Sequence, residues 1–305
     1  METRYMLKLF LALILLPLPA FAAQTDQSKS YIVEGHGGVP LVAYEWGNPD
    51  GSPILFIHGF SFGAVSFKNQ IGEIATKHRI IAFDLRGHGL SAKPWTADAY
   101  TDRDIWADDV AAVLAAAKVT RPVIVGWSFG GFVALDYLRK CGSQCAAGLV
   151  LTGSIAGLVP PPAKIEPVDG MPPPKGNARV DNYHEFFEAA DWLSRVMSYA
   201  PPSPYVAMQK KMTITMMAPM IRRAMSGLQL NNQDLGPKLT LPVLFIHGLK
   251  DASVPPVSVA AAMATLPDAE EIGYEDTGHS AFSEQPERFN QNVMDFTKQV
   301  SSKDP

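Results

Sequence analysis

Short apolar runs along the chain alternate with stretches whose apolar residues recur every three or four positions. Tyr31 to His36 and Pro40 to Trp46 are β-like runs split by Gly37-Gly38, which predicts an opening hairpin. Pro53 to His58 is apolar without alternation, the pattern of a strand buried on both faces. A helix-length stretch from Ala64 to Lys77 leads to a strand at Arg79 to Phe83, and Asp84 to Ser91 follows as a glycine-rich loop. Trp106, Val110, Val113, Leu114 and Ala117 share one face of a helix predicted over Arg103 to Val119. Next, Pro122 to Val125 runs into Gly126-Trp127-Ser128-Phe129-Gly130 and an amphipathic stretch through Lys140, which reads as strand, sharp turn, helix. Strands are also predicted at Ala146 to Leu151, Leu241 to His247 and Ala269 to Tyr274, with helices over Pro256 to Leu266 and Pro286 to Val300. Such repetition with short connections predicts a parallel sheet wrapped by helices, its working edge at the carboxyl ends of the strands.

Two segments stand outside this pattern. Arg4 and Lys8 precede the apolar stretch Leu9 to Leu18, and Ala20-Phe21-Ala22 supplies the small residues that a signal peptidase reads. The stretch is too short to span a bilayer and prolines interrupt it at 17 and 19, so residues 1–22 are expected to be a cleaved secretory signal. That expectation places the protein in the periplasm or outside the cell, without stable membrane insertion after cleavage. From 154 to 236 the alternation stops. Pro160-Pro161-Pro162 and Pro172-Pro173-Pro174 cannot continue a sheet or helix, and helical patterns then resume from Tyr183 with breaks at Pro201, Pro202, Pro204 and Pro219. This predicts a helical cap, residues 154–236, inserted between core segments 23–153 and 237–305. Met208, Met212 and Met216 recur every four residues, and the stripe reads as packing inside the cap in preference to pocket lining.

With 305 residues and 47% hydrophobic content the chain can bury a large core. A net charge of −4 without long like-charge blocks excludes a nucleic-acid footprint. Cys141 and Cys145 flank Gly142, and export makes a small disulfide loop the expected state of the pair. No clustered histidines or second cysteine pair support a metal site, and no cofactor is implied.

The chemistry converges on three residues. Ser128 sits at the turn, where its hydroxyl projects from a strand end at the amino end of a helix. Asp251 and His279 each follow a later strand, so one sheet edge can gather all three in the order serine, acid, histidine. Free serine is a poor nucleophile at neutral pH; imidazole can take its proton and return it to a leaving group, and a carboxylate holds the imidazole tautomer. Asp276 is the reserve candidate for the acid. The Phe129 and Phe60 amides are the candidate oxyanion donors. His58 and His247 precede glycines at strand ends and read as structural, and His36, His78, His88 and His184 do not fit the order. Arg86, His88 and Ser91 read as groups that fix their own loop.

These residues together resemble the α/β-hydrolase superfamily over nearly the whole mature chain. The resemblance rests on His58-Gly59-Phe60, Asp84-x-Arg86-Gly87-x-Gly89-x-Ser91, Gly126-Trp127-Ser128-Phe129-Gly130-Gly131, Leu244 to Gly248 through Asp251, and Gly278-His279. Within that fold the chain is most similar to small bacterial serine esterases grouped with the cofactor-free haloperoxidases. That similarity implies a mixed, mostly parallel eight-stranded sheet with a cap over the site. Many haloperoxidases carry a proline soon after the histidine–glycine pair, whereas Ser61 and Phe62 follow Phe60 here, which weakens a peroxidase assignment.

Two classes of function follow. One is a serine hydrolase acting on an ester, lactone or carbon–carbon bond, or as a perhydrolase, through the same triad; the other is a ligand-binding protein on the hydrolase scaffold. The triad and both oxyanion positions favour hydrolysis. Phe60, Phe62, Trp127 and Phe129 near Ser128 predict a small or medium, largely apolar carboxylic ester, with Phe62 and Trp127 as substrate-binding residues and no fixed charge facing the substrate.

Overall fold

The computed structural model describes residues 28–161 and 177–302. The predicted signal segment and the second proline cluster lie outside the described residues.

Eight strands form one sheet: β1 (Lys29–Glu34), β2 (Pro40–Gly47), β3 (Pro53–Ile57), β4 (Arg79–Phe83), β5 (Val123–Trp127), β6 (Gly148–Thr152), β7 (Val243–Gly248) and β8 (Ala269–Tyr274), in the spatial order β1-β2-β4-β3-β5-β6-β7-β8. β1 and β2 pair antiparallel, as do β2 and β4, while β4 through β8 run parallel. The Gly37-Gly38 turn that closes the β1–β2 hairpin has φ of 68° and 74°, the left-handed region that favours glycine.

β3 through β7 read as apolar runs because both their faces are covered. The period-2 alternation divides them. Leu55, Ile57, Ile124, Leu149, Leu151 and Phe245 point to one core layer, and Ile54, Phe56, Val123, Val125, Val150 and Leu244 to the other. The chain then wraps each face. Helices α1 (Lys68–Ile74), α2 (Asp98–Thr101), α3 (Arg103–Ala117) and α4 (Phe129–Cys141) precede β6. α3 begins at Asp102, whose carboxylate accepts the Asp104 N–H at 2.9 Å, and ends at Lys118 in the left-handed conformation. Its buried face, Trp106, Val110, Val113 and Leu114, is the one the sequence spacing marks out.

Between β6 and β7 lie α5 (Tyr183–Val196), α6 (Pro204–Thr215) and α7 (Pro219–Met225). Asn182 caps α5 by accepting the His184 and Glu185 N–H groups, and prolines start α6 and α7. α8 (Pro256–Met263), α9 (Ala281–Glu284) and α10 (Pro286–Ser301) complete the chain.

Cys141, the last residue of α4, is joined to Cys145 by a disulfide, with Gly142 turning the chain at φ 94°. The loop from Asp84 to Ser91 is fixed by its own polar groups. Asp84 accepts from the Ala64 and Leu90 N–H groups and from the Tyr44 hydroxyl, and Ser91 Oγ accepts from the Val42 N–H. Arg86 makes two 2.6 Å hydrogen bonds to buried Asp109 on α3. These contacts account for Arg86 and Ser91 structurally, and His88 Nδ1 donates to Arg86 O within the same loop at 2.8 Å.

Candidate active site

Ser128 stands between β5 and α4 with φ 51° and ψ −117°, a conformation that costs of order 1–3 kcal/mol and persists only where surroundings enforce it. Here they do. The Ser128 N–H donates to Thr152 O on β6 at 3.0 Å, and Ser128 O accepts from the Gly131 N–H and from Ser154 Oγ at 2.7 Å. A Cβ on Gly126 would lie 2.7 Å from Gly131 Cα, and one on Gly130 would lie 2.1 Å from Ile57 O. The motif glycines are therefore the condition for folding the corner this tightly.

The structure places Asp251 in the loop after β7 and His279 in the loop after β8, both buried. His279 Nδ1 donates to Asp251 Oδ2 at 2.8 Å, while Asp251 Oδ1 accepts the Ser253 and Val254 N–H groups at 2.8 and 3.0 Å. One oxygen of Asp251 is thus fixed by backbone donors while the other holds the ring. The one side-chain hydrogen bond of His279 among the described residues is made through Nδ1. Ser128 Oγ makes no hydrogen bond among the described residues, the loose geometry common without substrate. Trp127, one residue before the serine, ties the two loops together: its indole N–H donates to His279 O at 2.9 Å, and the rings are 5.9 Å apart. Asp276 is exposed and makes no hydrogen bond to the histidine, so the carboxylate paired with His279 is that of Asp251.

Glu284 on α9 is a member of this assembly that sequence reading missed. Its carboxylate accepts the Gly278 N–H at 3.0 Å and the Tyr199 N–H at 2.8 Å, clamping the His279 loop to the segment between α5 and α6. Burial raises its pKa above the ordinary glutamate value, against the pull of those two donors. An acid five positions after the histidine was the available signal, but nothing in the pattern says what it grips.

Neither the Phe60 nor the Phe129 amide is committed to a backbone acceptor among the described residues. The Phe129 N–H opens α4, where the first-turn donors have no intrahelical partner. Phe60 is oriented by its neighbours: Gly59 O accepts from His58 Nδ1 at 2.8 Å and from the Phe62 N–H at 3.1 Å. His58 Nε2 accepts the Leu85 N–H at 3.0 Å, an arrangement that fits only neutral imidazole, and burial lowers its pKa accordingly. His58 is structural, as is His247, whose Nε2 meets Glu271 at 2.6 Å.

Two cavities flank the Trp127–Ser128 turn. One, of about 370 Å³, contains half-buried Ser128 with Phe60, Phe129, Phe132 and Met225. The other, of about 290 Å³, is lined by Phe62, Trp127, Phe282, Met212 and Met216. Phe60 and Phe129 therefore share the serine's cavity, whereas Phe62 and Trp127 face the neighbouring one. Two expectations are corrected. Met208, Met212 and Met216 are 52%, 61% and 39% exposed, so the stripe is not cap packing; its last two members are cavity wall, and only Ile214 of α6 is fully buried. Nor is the serine's cavity free of fixed charge, because Arg222 and Arg179 line it.

Among the described residues no cluster of three or more metal-ligating side chains occurs, and no helix is long and apolar enough to cross a membrane. Similarity to known proteins follows the same outline. A non-heme chloroperoxidase of Streptomyces lividans is 27% identical over 86% of this chain and 97% of its own length. The solved structure assigned as an aryl esterase from Burkholderia cenocepacia superimposes with a TM-score of 0.83 at 31% identity, covering 90% of this chain and all of that one. The esterase RhEst1 from Rhodococcus sp. ECU1013 does so with a TM-score of 0.78 at 28% identity, over 89% and 99%. Residues 54–292 match the model of the alpha/beta hydrolase family, and with the eight-stranded sheet this establishes the chain as a member of that family, a hydrolase.

Proposed function

We propose that the protein is a serine esterase that cleaves small to medium carboxylic esters with a largely apolar skeleton, through an acyl-enzyme on Ser128. The observation that carries the reading is the holding of His279: Asp251 meets Nδ1 at 2.8 Å, and the indole N–H of Trp127, the residue before Ser128, donates to His279 O at 2.9 Å. Ser128 Oγ attacks the ester carbonyl while His279 Nε2 accepts its proton. The Phe60 and Phe129 amides donate to the oxyanion, and the proton passes to the departing alcohol. Water, deprotonated by the same nitrogen, then attacks the acyl group and releases the acid, so that ester and water give acid and alcohol. Phe60, Phe129, Phe132 and Met225 around the serine support an apolar skeleton. The leader at residues 1–22 and the Cys141–Cys145 disulfide support a periplasmic or secreted location.

Fluorophosphonate labelling of wild type and Ser128→Ala, followed by turnover of chromogenic acetyl to hexanoyl esters, palmitoyl esters and aminoacyl amides, tests the reading. Labelling confined to wild type and a preference for the shorter esters are expected. A Ser128→Ala protein that labels and turns over normally overturns the nucleophile assignment, and a preference for palmitoyl or aminoacyl substrates overturns the substrate class.

A further inference from the structure

We infer that the ester carries a free carboxylate, bound by Arg222 inside the cavity of Ser128. The inference rests on the serine-esterase reading above and adds the chemical class of its substrate.

Arg222, on α7, is 2% exposed and has no acidic partner among the described residues. Its Nη1 donates to Ser61 Oγ at 2.6 Å, Nη2 to Ile214 O at 2.6 Å, and Nε to Met217 O at 3.4 Å. The guanidinium carbon lies 5.6 Å from the ring centre of Phe60 and 5.5 Å from that of Phe186. Ile214 O belongs to the carboxyl end of α6 and Met217 O to the turn that follows it, so a helix terminus and two ring faces offset part of the charge. None of these partners is an anion. Leaving a guanidinium buried without a counter-charge is costly, and the usual arrangement is a paired carboxylate. Burial and the nearby Arg179 lower its pKa to about 10, which leaves it cationic at neutral pH.

Three of its five N–H groups are committed and two are not, enough to bind one carboxylate. The site is also placed correctly for the reaction. Arg222 reaches Ser61, whose neighbour Phe60 is the candidate oxyanion donor, and the Phe60 and Phe129 rings are 6.4 Å apart in the same cavity. Arg179, exposed at that cavity, adds a second positive charge, and the described lining contains no acidic side chain. The neighbouring Arg223 provides the contrast: it is spent on Asp181 at 3.1 Å and on Arg179 O. The substrate class is therefore a half-ester of a dicarboxylic acid, or an ester of a hydroxy acid whose carboxyl group stays free.

The test compares kcat/KM for the 4-nitrophenyl half-ester of glutaric acid with that for 4-nitrophenyl valerate, and for 3-acetoxybenzoate with that for phenyl acetate, in wild type and Arg222→Gln. In at least one pair the anionic member is expected to be preferred, with the preference falling about tenfold or more in Arg222→Gln, as the loss of a charge-assisted hydrogen bond predicts. The within-pair ratio cancels any change in the active fraction. If both members of each pair fall together, or if wild type prefers the neutral ester in both, Arg222 is a cap tether only and the inference is overturned. Calorimetry of glutarate with Ser128→Ala protein gives a readout free of turnover. Binding that weakens with added salt and is lost in the Ser128→Ala/Arg222→Gln protein is expected, and no binding to Ser128→Ala overturns the anion site even if ester hydrolysis proceeds. Absence of ester turnover together with glutarate binding would instead remove the esterase reading and keep the site.

Discussion

Replacing Asp251 by asparagine isolates what the carboxylate does. The two side chains have nearly the same shape, and the surrounding hydrogen bonds fix which way the amide faces. At the Oδ1 position the Ser253 and Val254 N–H groups donate at 2.8 and 3.0 Å, so an acceptor must stand there. The amide oxygen therefore takes that position and the NH2 group takes the position of Oδ2, facing His279 Nδ1. Turning the amide over would set its NH2 against two buried backbone donors, at about 1–3 kcal/mol for each group left unpaired.

A donor facing Nδ1 forces the imidazole into the tautomer with its proton on Nε2, the nitrogen that must receive the Ser128 proton. The corresponding change in a triad of this type lowers turnover about 10⁴-fold. That factor corresponds to about 5 kcal/mol of transition-state stabilisation, whereas packing and thermal stability change little. The assay is burst and steady-state hydrolysis of a 4-nitrophenyl ester, with thermal unfolding measured in parallel. Asp276→Asn is the control: the residue is exposed at φ 50°, a conformation asparagine tolerates well, so this variant should be as active and as stable as wild type. An Asp251→Asn enzyme within about tenfold of wild-type turnover, where the wrong tautomer predicts about 10⁴, would refute the reasoning, as would a damaging Asp276→Asn.

Other perturbations separate stability from chemistry. Asp109→Ala strands the buried Arg86 guanidinium and should cost about 3–5 kcal/mol in urea unfolding, whereas Arg86→Met with Asp109→Leu should recover most of that loss. Burial lowers the Lys210 pKa to about 8, below the unfolded value, so the folded state disfavours its charge; wild-type stability should rise from pH 8 towards pH 10 relative to Lys210→Met, and parallel pH profiles would contradict this. Replacing Cys141 and Cys145 by serine should cost about 2 kcal/mol for so short a loop and leave kcat unchanged, as thermal melts and ester turnover would read.

The sheet was legible because β3 to β7 are buried on both faces and so appear as unbroken apolar runs; predicted β3, β4 and β8 fall within a residue of their observed limits. The placement of Ser128, Asp251 and His279 on one edge was legible for a related reason. Ser128 and Asp251 follow such strands and His279 follows the edge strand β8, and a parallel sheet puts all those ends on one edge. The cap resisted the same reasoning. α6 and α7 are short, proline-started and bordered by both a core and a cavity, so an apolar side chain satisfies either neighbour. Met212 and Met216 are cavity wall for this reason, though their spacing equally suits packing. Adjacent Arg222 and Arg223 differ by one step of helix rotation: the first turns inward with Ile221 and Met225, and the second turns outward to Asp181. No composition or period distinguishes that pair before the helix is docked.

This division has a chemical consequence. Ser128, Asp251 and His279 are held by strand ends and backbone hydrogen bonds of the core, whereas Arg222, Met212 and Met216, which line the two cavities, stand on α6, its C-terminal cap and α7. Changing the cap should therefore alter which ester is accepted while leaving the proton-transfer geometry in place. Glu284 limits that independence. By accepting one N–H from Tyr199 at the end of the α5 segment and one from Gly278 immediately before His279, it makes the seating of the cap and the position of the base a single hydrogen-bonded unit. Movement at α5 strong enough to break the Tyr199 bond would deprive a buried carboxylate of a donor beside the His279 loop, so the seating of α5 and the position of His279 are coupled through Glu284.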